Sequence, residues 1–339
     1  MEIERSTVAG THATAATMRA AVHDRYGPPS VVTISEVCRP RPGRGEVLVQ
    51  VKAASVHPGD YFVMTGEPYV ARLAFGLRRP RRGIRGMDCA GVVTEVGRDV
   101  AGFRVGDEVF GWAGAGALAE FVCVSASNLA AIPATVSMAA AAATPTSGMT
   151  ALQALRDVAK VRAGLTVLVV GASGGVGSFA VQLATAMGAE VTGVCSTGNL
   201  ELVRSLGANR VIDYTVEDFT RAGERYDVIL DNVEAQPRAA VRRALTPTGT
   251  LIPNSGRGGR WLGPIGRIVA ARVLSVGTRQ RLAPFLSLGK RADLLALAEL
   301  LASGQVKPVV AASFPLEEAA EALRLVGSGH SRGKVVVTP

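Results

Sequence analysis

Residues 171–177 read Gly-Ala-Ser-Gly-Gly-Val-Gly, four glycines in seven positions, directly after the run Thr166-Val-Leu-Val-Val. Glycine lets backbone come close to a charged ligand, and free N–H groups at the start of a helix carry partial positive charge. The chemistry this spacing supports is binding of a dinucleotide pyrophosphate by Gly171, Ser173, Gly174, Gly175, Val176 and Gly177. A glycine turn alone is a weak signal, with a plain tight turn as its alternative. Here the elements that would position it lie on either side. Thr166–Gly171 reads as a strand buried on both faces, and Val176–Met187 as a helix stopped by Gly188.

Further strands follow at regular intervals: Glu190–Cys195, Arg210–Ile212, Asp227–Asp231 and Thr250–Pro253. Helices are expected between them at Leu200–Leu206, Val216–Ala222 and Pro237–Leu245, with Thr215 and Asp218 as an N-terminal cap signal for the second of these. Such βα repetition predicts a parallel sheet with helices on both faces. Gly256–Ala271 reads as a basic loop, and Arg272–Gly277 as a sixth, edge strand. Ala292–Ala302 and Glu317–Val326 read as helices, and Gly333–Thr338 as a closing strand that returns to the N-terminal half.

The half before the glycines is different in kind. Short alternating strands are expected from Met18, across Val31–Val37, Glu46–Ala53, Gly86–Val96, Asp107–Trp112 and Leu118–Val124, so this half resembles a small barrel. Arg72–Arg85 holds six arginines, a spacing that suits either a solvated basic loop or a polyanion site. Phe75 is the one aromatic side chain inside it, too few to stack bases, so a solvated loop is the reading here and nucleic acid is not an expected partner.

The chain has 339 residues, enough for two cores, a formal charge of +9, and 48% hydrophobic residues with no run long enough to span a bilayer. No membrane partner is expected. The positive charge suits an anionic ligand. Met1–Thr17 lacks the basic leader and apolar block of an export signal and reads as a disordered extension. Cys38, Cys89, Cys123 and Cys195 are scattered without Cys-x-x-Cys spacing, which argues against a disulfide framework or zinc knuckle and fits a reducing cytoplasm.

Several segments together resemble the medium-chain dehydrogenase/reductase superfamily, and within it the zinc-independent, quinone oxidoreductase-like branch. They are Val51–Asp60 (Val-Lys-Ala-Ala-Ser-Val-His-Pro-Gly-Asp), Gly86–Val93, Gly102–Phe110, Gly171–Gly177, Gly207–Tyr214 and His330–Val337. The resemblance implies an α/β fold: a Rossmann doubly wound parallel sheet at 145–288, inserted in a GroES-like β-rich catalytic domain formed by 18–144 and 289–339, with the site in the cleft between them. It also implies a homodimer paired through an edge of the cofactor domain.

Zinc-dependent relatives carry Cys where this chain has His57, and His-Glu where it has Met87-Asp88. Catalytic zinc takes about three protein ligands, and a methionine is a poor one, so no zinc is expected. The resemblance then favours hydride transfer to a quinone or α,β-unsaturated carbonyl, whose charge is delocalised. His57, Asp60 and Tyr61 are the candidates for orienting that substrate. The resemblance places Tyr214 at the adenosine end and Thr150, Asn232, Gly256 and Lys334 along the nicotinamide half. The second strand ends Val194-Cys-Ser196-Thr197-Gly198 with no acid before Glu201, which leaves room for a 2′-phosphate at Ser196 and Thr197 and favours NADPH over NADH. Two alternatives stay open: an alcohol dehydrogenase or carbonyl reductase, and a non-catalytic nucleotide- or nucleic-acid-binding protein with the same fold.

Overall fold

The computed structural model describes residues 16–255 and 279–339. Six strands form one parallel sheet in the order β10-β9-β8-β11-β12-β13. These are Thr166–Val170 (β8), Glu190–Cys195 (β9), Arg210–Asp213 (β10), Tyr226–Asp231 (β11), Leu245–Pro253 (β12) and Arg281–Leu282 (β13). Numbered from β8, the order is 3-2-1-4-5-6, the doubly wound arrangement in which ligands sit beyond the carboxyl ends of the strands. In β8 every residue after Thr166 is buried, as a strand covered on both faces requires. The helix Gly175–Ala186 that follows buries Phe179, Val181 and Leu183 against it.

The second sheet takes strands from both ends of the chain, in the order β14-β15-β3-β4-β5-β7, with β6 paired to β3. Its members are Glu46–Val56 (β3), Asp88–Val96 (β4), Glu108–Trp112 (β5), Phe121–Ser125 (β6), Leu129–Ala131 (β7), Val310–Pro315 (β14) and Lys334–Thr338 (β15). Thr17–Val22 (β1) and Thr33–Cys38 (β2) make a two-stranded ribbon that touches this sheet at Ala119. Among the described residues the first strand includes Thr17, the last residue of the stretch expected to be disordered; residues 1–15 lie outside the described part.

The two sheets are packed together rather than tethered. One buried cluster runs from Ala53, Ala90 and Phe110 of the mixed sheet through Met149, Leu152 and Leu155 to Val167 and Phe179 of the parallel one. The seam between the sheets thus has a continuous apolar core, which fixes the groups on its two sides relative to each other.

Two expectations need correction or fall outside view. The segment 216–222 is not a helix. Asp213 accepts hydrogen bonds from the amide and hydroxyl of Thr215, and Asp218 does the same for Thr220. Each aspartate holds the backbone two residues on in a turn, the conformation that competes with helix at such positions. The basic loop 256–271 and the edge strand 272–277 lie outside the described residues; the sixth strand seen is Arg281–Leu282, paired in parallel with Thr250 and Leu251.

Candidate active site

The glycine turn begins where β8 ends. Gly171 has φ +73, a left-handed conformation, and its carbonyl accepts the amide of Gly174 at 3.0 Å. A Cβ at Gly177 would lie 2.1 Å from the Gly171 oxygen, so the first turn of the helix rests directly on the backbone of the loop. That helix starts at Gly175 behind a glycine cap, with no acid in its first turn. Its leading N–H groups have no partner within the helix and no carboxylate competes for them. Residues 171–177 therefore fit a pyrophosphate: an open backbone cradle that a side chain would fill.

β15 closes this cradle from the other sheet. Gly333 bridges Gly174, and a Cβ at Gly175 would lie 3.2 Å from Cδ of Lys334 and 3.3 Å from Oγ of Ser147. Lys334 is 3% exposed. Its ammonium donates to the Val56 carbonyl at 3.4 Å and faces Asp88 Oδ2 at 4.0 Å. Asp88, the first residue of β4, is fully buried and also accepts from Ser55 Oγ at 3.2 Å, Thr146 N at 3.2 Å and Thr146 Oγ1 at 2.5 Å. Burial pushes the Asp88 carboxyl up and the Lys334 amine down, while each opposes the shift in the other. The pair thus links β4, β15 and the helix Pro145–Leu152 at one point of the cleft. Thr150 lies on that helix and donates its hydroxyl back to Thr146 O at 2.7 Å.

His57 stands beside this network, as the cap of the helix Pro58–Thr65. Its Nδ1 accepts the Gly59 amide at 3.0 Å, while its own amide donates to Asp60 Oδ2 at 3.0 Å. Asp60 Oδ1 accepts the Gly86 amide at 2.9 Å. An imidazole whose Nδ1 accepts from backbone carries its proton on Nε2, and on this half-buried ring that N–H makes no hydrogen bond among the described residues. Burial first, and the Lys334 charge second, pull the His57 pKa down from 6.5 to about 3. His57 is therefore a fixed, neutral N–H donor at physiological pH. Burial pushes the Asp60 carboxyl up to about 6, against the pull of its two amide donors.

The three residues expected to act together are neighbours on one short helix, with different surroundings. Asp60 is 2% exposed, and both of its oxygens are held by backbone amides. The Tyr61 ring packs on Gly327, where an added Cβ would lie 2.3 Å from it, on the core side of the helix. Nε2 of His57 and the hydroxyl of Tyr61 make no hydrogen bond among the described residues, whereas Asp60 has both oxygens occupied.

Among the expected cofactor contacts, Asn232 spends its groups locally. Its N and Nδ2 donate to Val170 O at 3.2 and 3.0 Å, and its Oδ1 accepts from Asn254 at 2.8 Å, bracing the strand ends under Gly171. At the adenosine end Ser196 Oγ accepts from Asn199 at 3.0 Å, and Thr197 Oγ1 meets Thr215 Oγ1 at 3.1 Å. Tyr214 is 59% exposed and free to cover a flat ligand. Gly256 lies outside the described residues. An acid does stand at this end, delivered by the third strand: Asp213 pairs with Cys195 across the sheet and bonds the Thr197 hydroxyl.

Family comparisons agree with this geometry. A model of the alcohol dehydrogenase GroES-like domain matches residues 43–134, and one described as zinc-binding dehydrogenase matches 206–337. The chain is 34% identical to mitochondrial NAD(P)H oxidoreductase RTN4IP1 of Mus musculus, over 97% of this chain and 91% of that protein. It is 33% identical to the chloroplast envelope quinone oxidoreductase homolog of Arabidopsis thaliana, over 88% and 92% respectively. The chain belongs to the medium-chain dehydrogenase/reductase family, in its quinone oxidoreductase-like branch. This reductase shares its fold with the quinone oxidoreductase of Coxiella burnetii, with TM-score 0.83 and 32% identity, covering 96% of this chain and 100% of that one. It is an oxidoreductase that uses a nicotinamide cofactor.

Sequence reasoning compared Asp88 with a zinc-ligand position but missed its partners Thr146 and Ser55. A signal was present: an aspartate directly ahead of the apolar run Cys-Ala-Gly-Val-Val must find donors and a counter-charge, and a lysine opening an apolar strand is the matching cation.

The titrations give a pH prediction for the reductase. His57 binds its proton less well folded than unfolded, so its contribution to stability grows as pH rises from about 3 to 6.5. Asp60 binds its proton more tightly folded, so its contribution falls as pH rises from 3.8 to about 6. In His57→Asn the first contribution vanishes, and stability should decline between pH 4 and pH 6 relative to the native protein, as measured by urea unfolding at each pH. In the native enzyme kcat/KM should show no histidine ionisation near 6.5. A step there that disappears in His57→Asn would contradict a neutral imidazole.

Proposed function

We propose that this reductase passes hydride from NADPH to a quinone or α,β-unsaturated carbonyl without zinc. The observation that carries the proposal is His57, whose Nδ1 is fixed by the Gly59 amide, whose ring feels the charge of Lys334 at the glycine turn, and whose Nε2–H makes no hydrogen bond among the described residues. The bound cofactor supplies the hydride. The amides of residues 175–177, at the start of the helix, would hold its pyrophosphate. Lys334 keeps the cradle and the β4 wall at fixed separation through Gly333 and Asp88. His57 donates its Nε2–H to the acceptor oxygen, where a conjugated system gathers only part of a charge, so a neutral donor is enough. With a folded pKa near 3, His57 holds no second proton to give at neutral pH, and solvent supplies the proton of the product.

Support for the metal-free reading comes from the donor set. Asp60 spends both oxygens on backbone amides, Asp88 spends its own on Ser55, Thr146 and Lys334, and Met87 is a poor zinc ligand. Quinones enter as the acceptor class because similar proteins carry that name. The test is turnover of reduced cofactor with a panel of quinones, enones and simple ketones. Quinones and enones should exceed saturated ketones by orders of magnitude; equal rates would favour a carbonyl reductase.

For the cofactor, the acid-free end of β9 favours NADPH, and Asp213 acts against it by placing a carboxylate beside Thr197. Asp213→Asn should therefore raise the NADPH-to-NADH ratio of kcat/KM by about three- to tenfold, the effect of one partly screened charge. An unchanged ratio would remove Asp213 from the 2′-phosphate environment. We also infer a reducing cytoplasmic setting and a homodimer. All four cysteines are free, and burial pushes the Cys89 thiol up to about 12. Analytical ultracentrifugation tests the dimer.

A further inference from the structure

The segment between Glu67 and Asp88 contains no acid and six arginines, and the structure divides those arginines into two kinds. Arg72 and Arg85 are anchors. Arg72 donates to Gly66 O at 2.9 Å and stacks on Tyr26 and Tyr69 at 4.5 and 4.7 Å, while Arg85 is 5% exposed and donates to Arg82 O. Tyr26 Oη donates to Gly76 O at 2.5 Å, and Arg81 N to Phe75 O at 2.8 Å, so the segment is tied down as a lobe on the mixed sheet. Arg78, Arg79, Arg81 and Arg82 are exposed and form no ion pair among the described residues; of these Arg81 reaches back to the Ala74 carbonyl at 3.4 Å. Between and before them Leu73, Phe75 and Leu77 are 66%, 45% and 68% exposed.

We propose that this lobe docks the enzyme peripherally on an anionic lipid bilayer. Leu73, Phe75 and Leu77 enter the boundary of headgroups and acyl chains, and the outward arginines meet the headgroup phosphates. Three protruding apolar side chains within a basic, acid-free segment are what an interfacial anchor needs. A second copy of the chain would set four arginines against four, and a nucleic acid would leave Leu73 and Leu77 with nothing apolar to cover them. Peripheral docking needs no spanning run, so the absence of one in the sequence does not bear on it. The lobe follows the helix Pro58–Thr65, eight residues or about 12 Å long, whose other end carries His57. If the acceptor is a lipophilic quinone, as the function proposed above holds, docking brings the cleft to the phase where that acceptor is dissolved. The docking itself stands without that reading.

The experiment is co-sedimentation of the full-length protein with vesicles of phosphatidylcholine alone or with phosphatidylserine, at low and physiological salt, with RNA added as a competitor. Binding should appear on the anionic vesicles, weaken with salt, and fall at least tenfold on phosphatidylcholine alone. Arg78→Ser/Arg79→Ser/Arg82→Ser should lower partitioning on the order of a hundredfold. Leu73→Ser/Phe75→Ser/Leu77→Ser should lower it about tenfold or more. Both variants should keep native turnover of a water-soluble quinone, which also shows that they fold. No binding to anionic vesicles overturns the proposal, as do equal binding to both vesicle types and insensitivity to the apolar triple change. RNA that binds while vesicles do not makes the lobe a polyanion site instead. Loss of quinone turnover in the native protein, with vesicle binding intact, would refute the reductase reading and leave the docking in place.

Discussion

Lys334→Met should destabilise the protein by about 3 kcal/mol or more, the usual cost of breaking a buried ion pair by removing one partner. Asp88 would remain fully buried, keeping the hydroxyls of Ser55 and Thr146 but losing the one cation that faces it among the described residues. Burial already raises the Asp88 carboxyl, and without Lys334 it rises further. A carboxyl whose folded pKa lies above its unfolded value contributes most stability at low pH and loses it as pH rises. The variant should therefore be closest to native at pH 5 and furthest from it at pH 8. Asp88→Asn/Lys334→Met should recover much of the loss, because no unpaired charge is left. Urea unfolding at the two pH values checks this. A loss below about 1 kcal/mol with no pH dependence would show that Lys334 is not the counter-ion the structure makes it.

Gly177→Ala is the second large expectation. The new methyl would sit 2.1 Å from Gly171 O, 2.8 Å from Gly171 C and 2.9 Å from Ala172 Cα, all backbone atoms of the cradle. Backbone cannot rotate away as a side chain would, so either the helix or the loop must move. Overpacking of this kind costs about 1–3 kcal/mol. The displaced amides should raise the dissociation constant for reduced cofactor at least tenfold, a loss of about 1.4 kcal/mol or more. Calorimetric titration measures it. Gly198→Ala is the control, because an added Cβ there meets nothing within 4 Å and Gly198 has no left-handed backbone. If both variants bind the cofactor like the native protein, the seven-residue turn is not the pyrophosphate cradle.

The parallel sheet was legible in the sequence because its strands carry their own evidence. A run such as Val167–Val170 is uniformly apolar, and only a strand covered on both faces calls for that. The glycine turn was legible for the same local reason. What could not be read was which partner a polar side chain takes. His57, Asp60 and Tyr61 read as a cluster for orienting substrate; the spacing of the first two is also that of a capping box, and the structure uses it as one. Residues 216–222 looked helical, but Asp213 and Asp218 hold the backbone in turns, and hydroxyls two residues away decide that. Asp213 reached the end of the second strand from the third, a neighbour that inspection of the second strand alone does not show. Thr146 found Asp88 across 58 residues of sequence. Long-range polar pairing depends on how the two sheets dock, and no local pattern records it.

The central claim is direct, metal-free transfer of hydride in the cleft between the sheets. It is tested most directly by giving chelator-treated enzyme an enone together with NADPH that carries deuterium on the transferring nicotinamide carbon. The proposed mechanism predicts turnover unchanged by the chelator, with deuterium found by mass spectrometry at the β-carbon of the product. Activity that is lost on chelation and restored by zinc, or product without deuterium at that carbon, would contradict it.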